Sequence, residues 1–279
     1  MNLYTRKKKR THLLPILLAI VALLLALVVM ITWMWIGYRR SIPPDSTSSS
    51  DDTSHYDDPI TDIGRCLLIL DFADNKHFML IQSDPSHNSI TVSPIPAHTK
   101  DTDGNTLSTL FTKHGSLRVA QTISSILQLP VSHYITLDAA GTQQFLNELD
   151  SGIRFSLPED ILYTDENGAQ IRLTAGEHVL SGAQTAAVMQ YTAWSSHSTD
   201  ANHIVADVVT AVLNQYITPN RRFDGYFAAL SNVAQTDLRI DNFNAFRRTL
   251  EQLAAGNDGS LSRHEPLSGT IENGAFIPN

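Results

Sequence analysis

The run from Leu13 to Ile36 contains no charged side chain and constrains the chain more than any other stretch. At about 1.5 Å of rise per residue it makes a helix of roughly 36 Å, longer than a hydrocarbon core of about 30 Å. Pro15 falls in its first turn, where a missing N–H costs little. Trp33, Trp35 and Tyr38 gather at its far end as an interfacial belt does. Arg6, Lys7, Lys8, Lys9 and Arg10 precede the run and only Arg39 and Arg40 follow it, which keeps the N-terminus in the cytoplasm and sends residues 41–279 across. The alternatives are a buried core helix and a cleaved signal peptide. The latter has an apolar region of about 7 to 15 residues before a small-x-small cleavage site, whereas this run ends in Trp-Met-Trp-Ile-Gly-Tyr-Arg-Arg. The expectation is a single-pass cell-membrane protein. Residues 1–12 form its basic cytoplasmic N-terminus, 13–36 its uncleaved anchor, 37–61 a flexible linker, 62–255 an extracytoplasmic domain and 256–279 a polar tail.

The first 40 residues hold 7 of the 20 Lys and Arg and none of the 28 Asp and Glu, so 13 basic face 28 acidic side chains in the remainder. That field repels nucleic acid, and no nucleic-acid partner is expected. Cys66 is the only cysteine, so no intrachain disulfide is possible and the core must hold the domain together. About 200 foldable residues suffice, since a domain of that size buries roughly 70% of its unfolded-chain surface.

Ser41 to Asp58 has almost nothing apolar to bury and reads as a spacer. Cys66-Leu-Leu-Ile-Leu-Asp-Phe72 is the continuous apolar run of a strand buried on both faces. Phe78–Gln82 and Ser89–Ile95 follow as a hairpin turning at Asp84–Ser89, and Pro96–Thr106 is a polar loop. Leu117, Ala120, Ile123, Ile126 and Leu127 recur at helical spacing before Pro130. Val131–Asp138 alternates like a strand, Gly141–Leu149 reads as a helix and Gly152–Leu157 as a strand. Asp165–Gly168 is a turn, and Ile171–Leu173 leads to Ser181-Gly-Ala-Gln184, whose capping-box spacing opens a helix through Met189. Ile204, Val205, Val208, Val209, Val212, Leu213 and Tyr216 paint one face of a helix stopped by Pro219. Phe243–Leu253 is the last helix, with Gly256 as its C-cap, and the polar residues beyond it are expected to stay unfolded. The fold class predicted is α/β: a mixed central sheet flanked by helices on both faces, behind one N-terminal transmembrane helix.

This order of segments resembles the LytR-CpsA-Psr family of Gram-positive envelope proteins. The resemblance rests on Phe78-Met-Leu-Ile-Gln-Ser-Asp-Pro85, Val92-Ser-Pro-Ile-Pro96 and Leu127-Gln-Leu-Pro-Val-Ser-His-Tyr134. It continues through Thr174-Ala-Gly-Glu-His-Val-Leu-Ser-Gly-Ala-Gln184 and the helix from Asp200. It implies transfer of a glycopolymer from a polyprenyl pyrophosphate carrier to peptidoglycan, with the lipid in an apolar tunnel. It also implies arginines on the pyrophosphate and a divalent cation such as Mg held by aspartates.

The chain departs from that pattern at every expected arginine. Ile-Pro-Arg-Asp appears as Ile95-Pro96-Ala97-His98, an Arg-x-Arg pair becomes Gln190 and Thr192, and Asp-x-x-Arg-x-x-Arg-Gln becomes Asp200-Ala-Asn-His203-Ile-Val-Ala206-Asp207. Each lost charge-assisted contact is worth about 1.5–3 kcal/mol, which argues against the ordinary transferase mechanism. The resemblance leaves His98 and His203 as the catalytic candidates in former arginine positions, and Asp71, Asp74 and Asp200 as the metal candidates. Polar drift on a loop rim is the competing explanation, because no two of these hold a diagnostic ligand spacing. Arg118, Arg154 and Arg172 remain either as a displaced clamp or as surface residues. Ile123, Leu127, Val208 and Val212 wall the tunnel or belong to plain core, which periodicity does not separate. The leading expectation is an envelope protein working on polyprenyl-linked precursors, with lipid carrier, peptidoglycan and membrane as partners. The alternatives are a non-catalytic relative that binds lipid carrier or a partner and regulates envelope assembly, and a structural ectodomain with a filled core and no lipid.

Overall fold

Five consecutive apolar residues from Cys66 to Leu70 form the middle of β1 (Gly64–Phe72), the strand on which the sheet is built. The computed structural model describes residues 64–73, 75–149, 152–165, 168–195, 201–219, 221–272 and 275–278. The apolar run Leu13–Ile36, the spacer, Asp74 and Asp200 lie outside them. Among the described residues no helix is long and apolar enough to cross a membrane.

β2 (Asn75–Asp84) pairs antiparallel with β1, Leu67 opposite Leu80 and Ile69 opposite Phe78, and β3 (Ser89–Ile95) returns beside β2. The turn between β2 and β3 closes as its residues demand. The Asp84 carboxylate accepts the Ser86 and His87 N–H groups at 3.1 and 3.2 Å, and Asn88 takes the left-handed φ of 46°. β4 (His133–Asp138) lies parallel to β1, with β9 (Gln235–Thr236) antiparallel beyond it. At the other edge β10 (Ser262–His264) runs parallel to β3, giving the order β10-β3-β2-β1-β4-β9. β1, β3, β4 and β10 therefore all point the same way, and their carboxyl ends share one edge.

Strand alternation sorts the core into layers. Leu67, Ile69, Phe78 and Leu80 face α1 (Leu107–Leu127), while Leu68, Leu70, Phe72 and Met79 face the side covered by α2 (Ala139–Asn147), α3 (Gly182–Gln190) and α4 (Ala201–Tyr216). A third cluster joins α4 to α5 (Phe223–Val233) and α6 (Ile240–Ala255) around Ile217, Phe223, Phe243 and Leu253. Short pairs complete the domain: β5 (Ile153–Leu157) with β8 (Gly176–Leu180), β6 (Ile161–Thr164) with β7 (Gln170–Leu173), and β11 (Gly269–Glu272) with β12 (Ala275–Pro278). The mixed sheet with helices on both faces is the fold class that the strand and helix patterns call for.

The capping box at Ser181 and Gln184 forms both of its bonds, at 2.9 and 3.3 Å. Two expectations are corrected. α1 begins ten residues before Leu117, capped by Thr106, and Gly115 at φ 73° breaks it; Leu117 is exposed, while Leu107, Leu110 and Val119 carry the buried face. The stretch beyond Gly256 is folded. Its order comes from β-pairing to β3 and from the Asn214 side chain, which takes the Ser262 N–H at 2.5 Å and donates to its C=O at 2.9 Å. Backbone pairing of that kind leaves no hydrophobic periodicity to read.

Candidate functional site

α4 runs between two different environments. Its first turn meets the carboxyl edge of the sheet, where open α/β sheets bind their ligands. His77 at the start of β2 is fully buried, and its Nδ1 lies 2.6 Å from Asn202 Oδ1. Beside Asn202, His203 Nδ1 lies 3.1 Å from Nε2 of His264, the last residue of β10. His264 Nδ1 donates to Asp207 Oδ1 at 2.8 Å, so Asp207, one turn beyond His203, closes a chain of three side chains. The two imidazoles are tilted by 46° with centroids 5.0 Å apart.

Of the former arginine positions, Ala97 is half-buried against the α1 layer and Ala206 is wholly buried. Gln190 is used internally, accepting from the Tyr163 hydroxyl at 3.0 Å and donating to the Ala186 C=O. Thr192 and His98 are exposed, the latter in the turn that follows β3. Arg118, Arg154 and Arg172 are exposed as well. Asp71 stands opposite Lys76 in the β1–β2 ladder and is ion-paired to its Nζ at 2.9 Å. A carboxylate already neutralised by an ammonium is a poor ligand for a divalent cation. Among the described residues no three His, Cys, Asp or Glu side chains converge on one point. Asp74 and Asp200, the other two metal candidates, lie outside the described residues.

The other end of α4 borders an apolar cavity of about 670 Å³ between the sheet and helices α5 and α6. Ile135, Val212, Leu213, Tyr226 and Phe243 are among its walls, and Phe227 and Phe243 stack at 4.1 Å beside it. Cys66 also lines it; burial, with the Asp237 charge adding, pushes that thiol up to about 12, so it stays protonated and unreactive. Of the tunnel candidates, Val212 lines this cavity, and Val208 is packed in the core on the same face. Ile123 and Leu127 lie in the α1 layer, across the sheet from it. The core is not filled here: at about 30 Å³ per water-sized group the space holds roughly 20 such groups. Its volume and lining are those of a site for an apolar ligand.

His264, Asp207 and the walls from α5 escaped the sequence reading. Phe223, Tyr226, Phe227 and Leu230 recur at helical spacing and could have revealed α5. His264 stands alone in a polar stretch and carries no signal of its own.

The fold is an α/β domain with an apolar cavity at one end of α4 and, at the other, a polar edge where His203, His264 and Asp207 meet. Residues 75–265 match the model of the LytR_cpsA_psr family, and the chain belongs to that family. A search of curated protein sequences gives no match. Among solved structures, a protein from Eubacterium siraeum described as a candidate transcription regulator superposes with a TM-score of 0.68 at 16% identity, over 78% of this chain and 86% of its own. TagV of B. subtilis gives 0.63 at 19% identity, over 79% and 92%. TagT, solved bound to LI-WTA, gives 0.58 at 14% identity, over 79% and 85%.

Proposed function

We propose that this chain acts in cell-wall glycopolymer attachment as a membrane-anchored, extracytoplasmic protein, holding the polyprenyl chain of a lipid-linked precursor in the cavity beside α4. The observation that carries this reading is the cavity itself, an apolar space walled by Val212, Leu213, Tyr226 and Phe243 in a domain of this family. TagT bound to LI-WTA supports it by likeness of fold. The loss of arginine at Ala97, Gln190, Thr192, His203 and Ala206, with the Asp71–Lys76 pair, favours a second reading, in which the chain binds lipid carrier or a partner and regulates assembly without transferring the glycopolymer.

Mass spectrometry of lipid retained by the gently extracted full-length protein tests the first reading. Polyprenyl phosphate or pyrophosphate is the expected companion. No such lipid, while an arginine-bearing family member treated alongside retains it, would overturn the reading.

A further inference from the structure

The apolar cavity lies at the amino edge of the sheet. Its walls include Arg65 and Cys66 at the start of β1, Ser83 near the end of antiparallel β2, and His133 at the start of β4. Two of the positions where the resemblance places arginine lie at the other edge: Ala97 follows β3, and His203 meets the last residue of β10. From Arg65 to Phe72, β1 alone spans about 23 Å at roughly 3.3 Å per residue, so the two edges are separate places.

Two guanidinium groups belong to the cavity. Arg65 is half-buried, and its Nε donates to Oε1 of Gln82, its partner in the β1–β2 ladder, at 2.9 Å. That acceptor is a neutral amide, so the bond aims the side chain without cancelling its charge. Arg248 on α6 is an exposed wall residue and therefore stands where the cavity meets solvent. The charge balance around them is also reversed. Beyond residue 40, 28 acidic side chains outnumber 13 basic ones, yet from Arg221 to Arg248, the stretch that supplies α5 and half of α6, there are five arginines and three aspartates. Arg247 is paired with Asp224 and Glu251, and Asp237 lies 3.6 Å from His133 while accepting the Tyr134 N–H at 2.9 Å. Arg221 sits 5.0 Å from the ring centre of Tyr216, itself a wall residue. An apolar chamber with guanidinium groups in its wall suits a molecule with a long apolar body and an anionic head.

We propose that the cavity binds a lipid by its head as well as its chain, with a phosphate headgroup held at the amino edge by Arg65 and Arg248. This rests on the lipid occupancy proposed above and adds a direction to it. The apolar chain packs on Val212, Tyr226 and Phe243, and the phosphate stays at the edge opposite Ala97 and His203. A lipid so placed does not present its phosphorus to the carboxyl edge. That is the arrangement of a protein that holds a lipid carrier, not of one that transfers the carrier's load at that edge.

The test offers the full-length protein, in detergent, an equimolar mixture of a polyprenyl phosphate and the polyprenol of the same length. Mass spectrometry after gel filtration counts the two. The parent should retain the phosphate about tenfold over the alcohol, and Arg65→Gln should bring that ratio close to one while the alcohol retained stays the same. Arg248→Gln, at an exposed position, should lower the ratio in the same direction and serves as the second variant should Arg65→Gln fail to fold. Equal retention of phosphate and alcohol by the parent, or a ratio that both substitutions leave unchanged, would overturn the headgroup site and leave the lipid reading standing. Retention of neither would overturn both. Inorganic phosphate offered alone should not stay bound; binding as tight as that of the lipid would mark a site for a free anion and overturn the proposal as well.

Discussion

Arginine cannot simply be put back where the family has it. Ala206 is wholly buried, so Ala206→Arg places a guanidinium in the apolar core layer of Leu70 and Val208. Burying an uncompensated charge costs about 3–5 kcal/mol, and chemical denaturation should show a loss of that size. Thr192→Arg, on an exposed loop, should stay within about 0.5 kcal/mol of the parent. Cys66 makes a second residue-level case. Its pKa is raised from 9.0 to about 12 in the folded state, so above pH 9 the unfolded chain gives up a proton that the native chain keeps. Stability should therefore fall as pH rises from 9 toward 12, and the difference between parent and Cys66→Ala in denaturation midpoints should change over that window and not below it. At this scale the sequence revealed what stands in the arginine positions, His203 among them, but not that His203 meets His264 and Asp207. The Asp207–His264 contact spans 57 positions of chain and joins a helix face to an edge strand, which no local spacing encodes.

Among the elements, α4 was the most legible and β10 the least. Seven apolar residues at 3.6-residue spacing announce α4, because its stability comes from one buried face. β10 owes its place to main-chain pairing with β3 and to Asn214, so it reads as polar linker. Truncation after Gly256 removes β10 together with Leu261, which is only 3% exposed, and the Asn257 amide that caps the Asn214 and Ile217 carbonyls. The loss in unfolding free energy should exceed the roughly 2–5 kcal/mol expected for Leu261→Ala alone. Asn214→Ala leaves the Ser262 N–H without its side-chain acceptor and should cost about 1–3 kcal/mol in the same titration. α5 was missed for a different reason: it follows the Pro219 stop closely, and its apolar face points into a cavity as well as into core.

For the whole molecule, the sheet with helices on both faces separates a polar edge from an apolar cavity, one at each end of α4. The sequence carried the sheet, the family and the anchor expectation, whereas the cavity depends on how α4, α5 and α6 leave space between them, a property of shape and not of composition. Val212→Trp narrows that space from one wall and should weaken lipid uptake without touching the His203 end of the helix. The direct measurement is a thermal shift of the full-length protein in detergent with added polyprenyl phosphate. A ligand at 100 times its Kd stabilises by about 2.7 kcal/mol, which for a domain near 200 residues raises Tm by roughly 5–10 °C. That rise is expected in the parent and a smaller one in Val212→Trp; equal shifts in both, or no shift in the parent, would contradict lipid binding in the cavity.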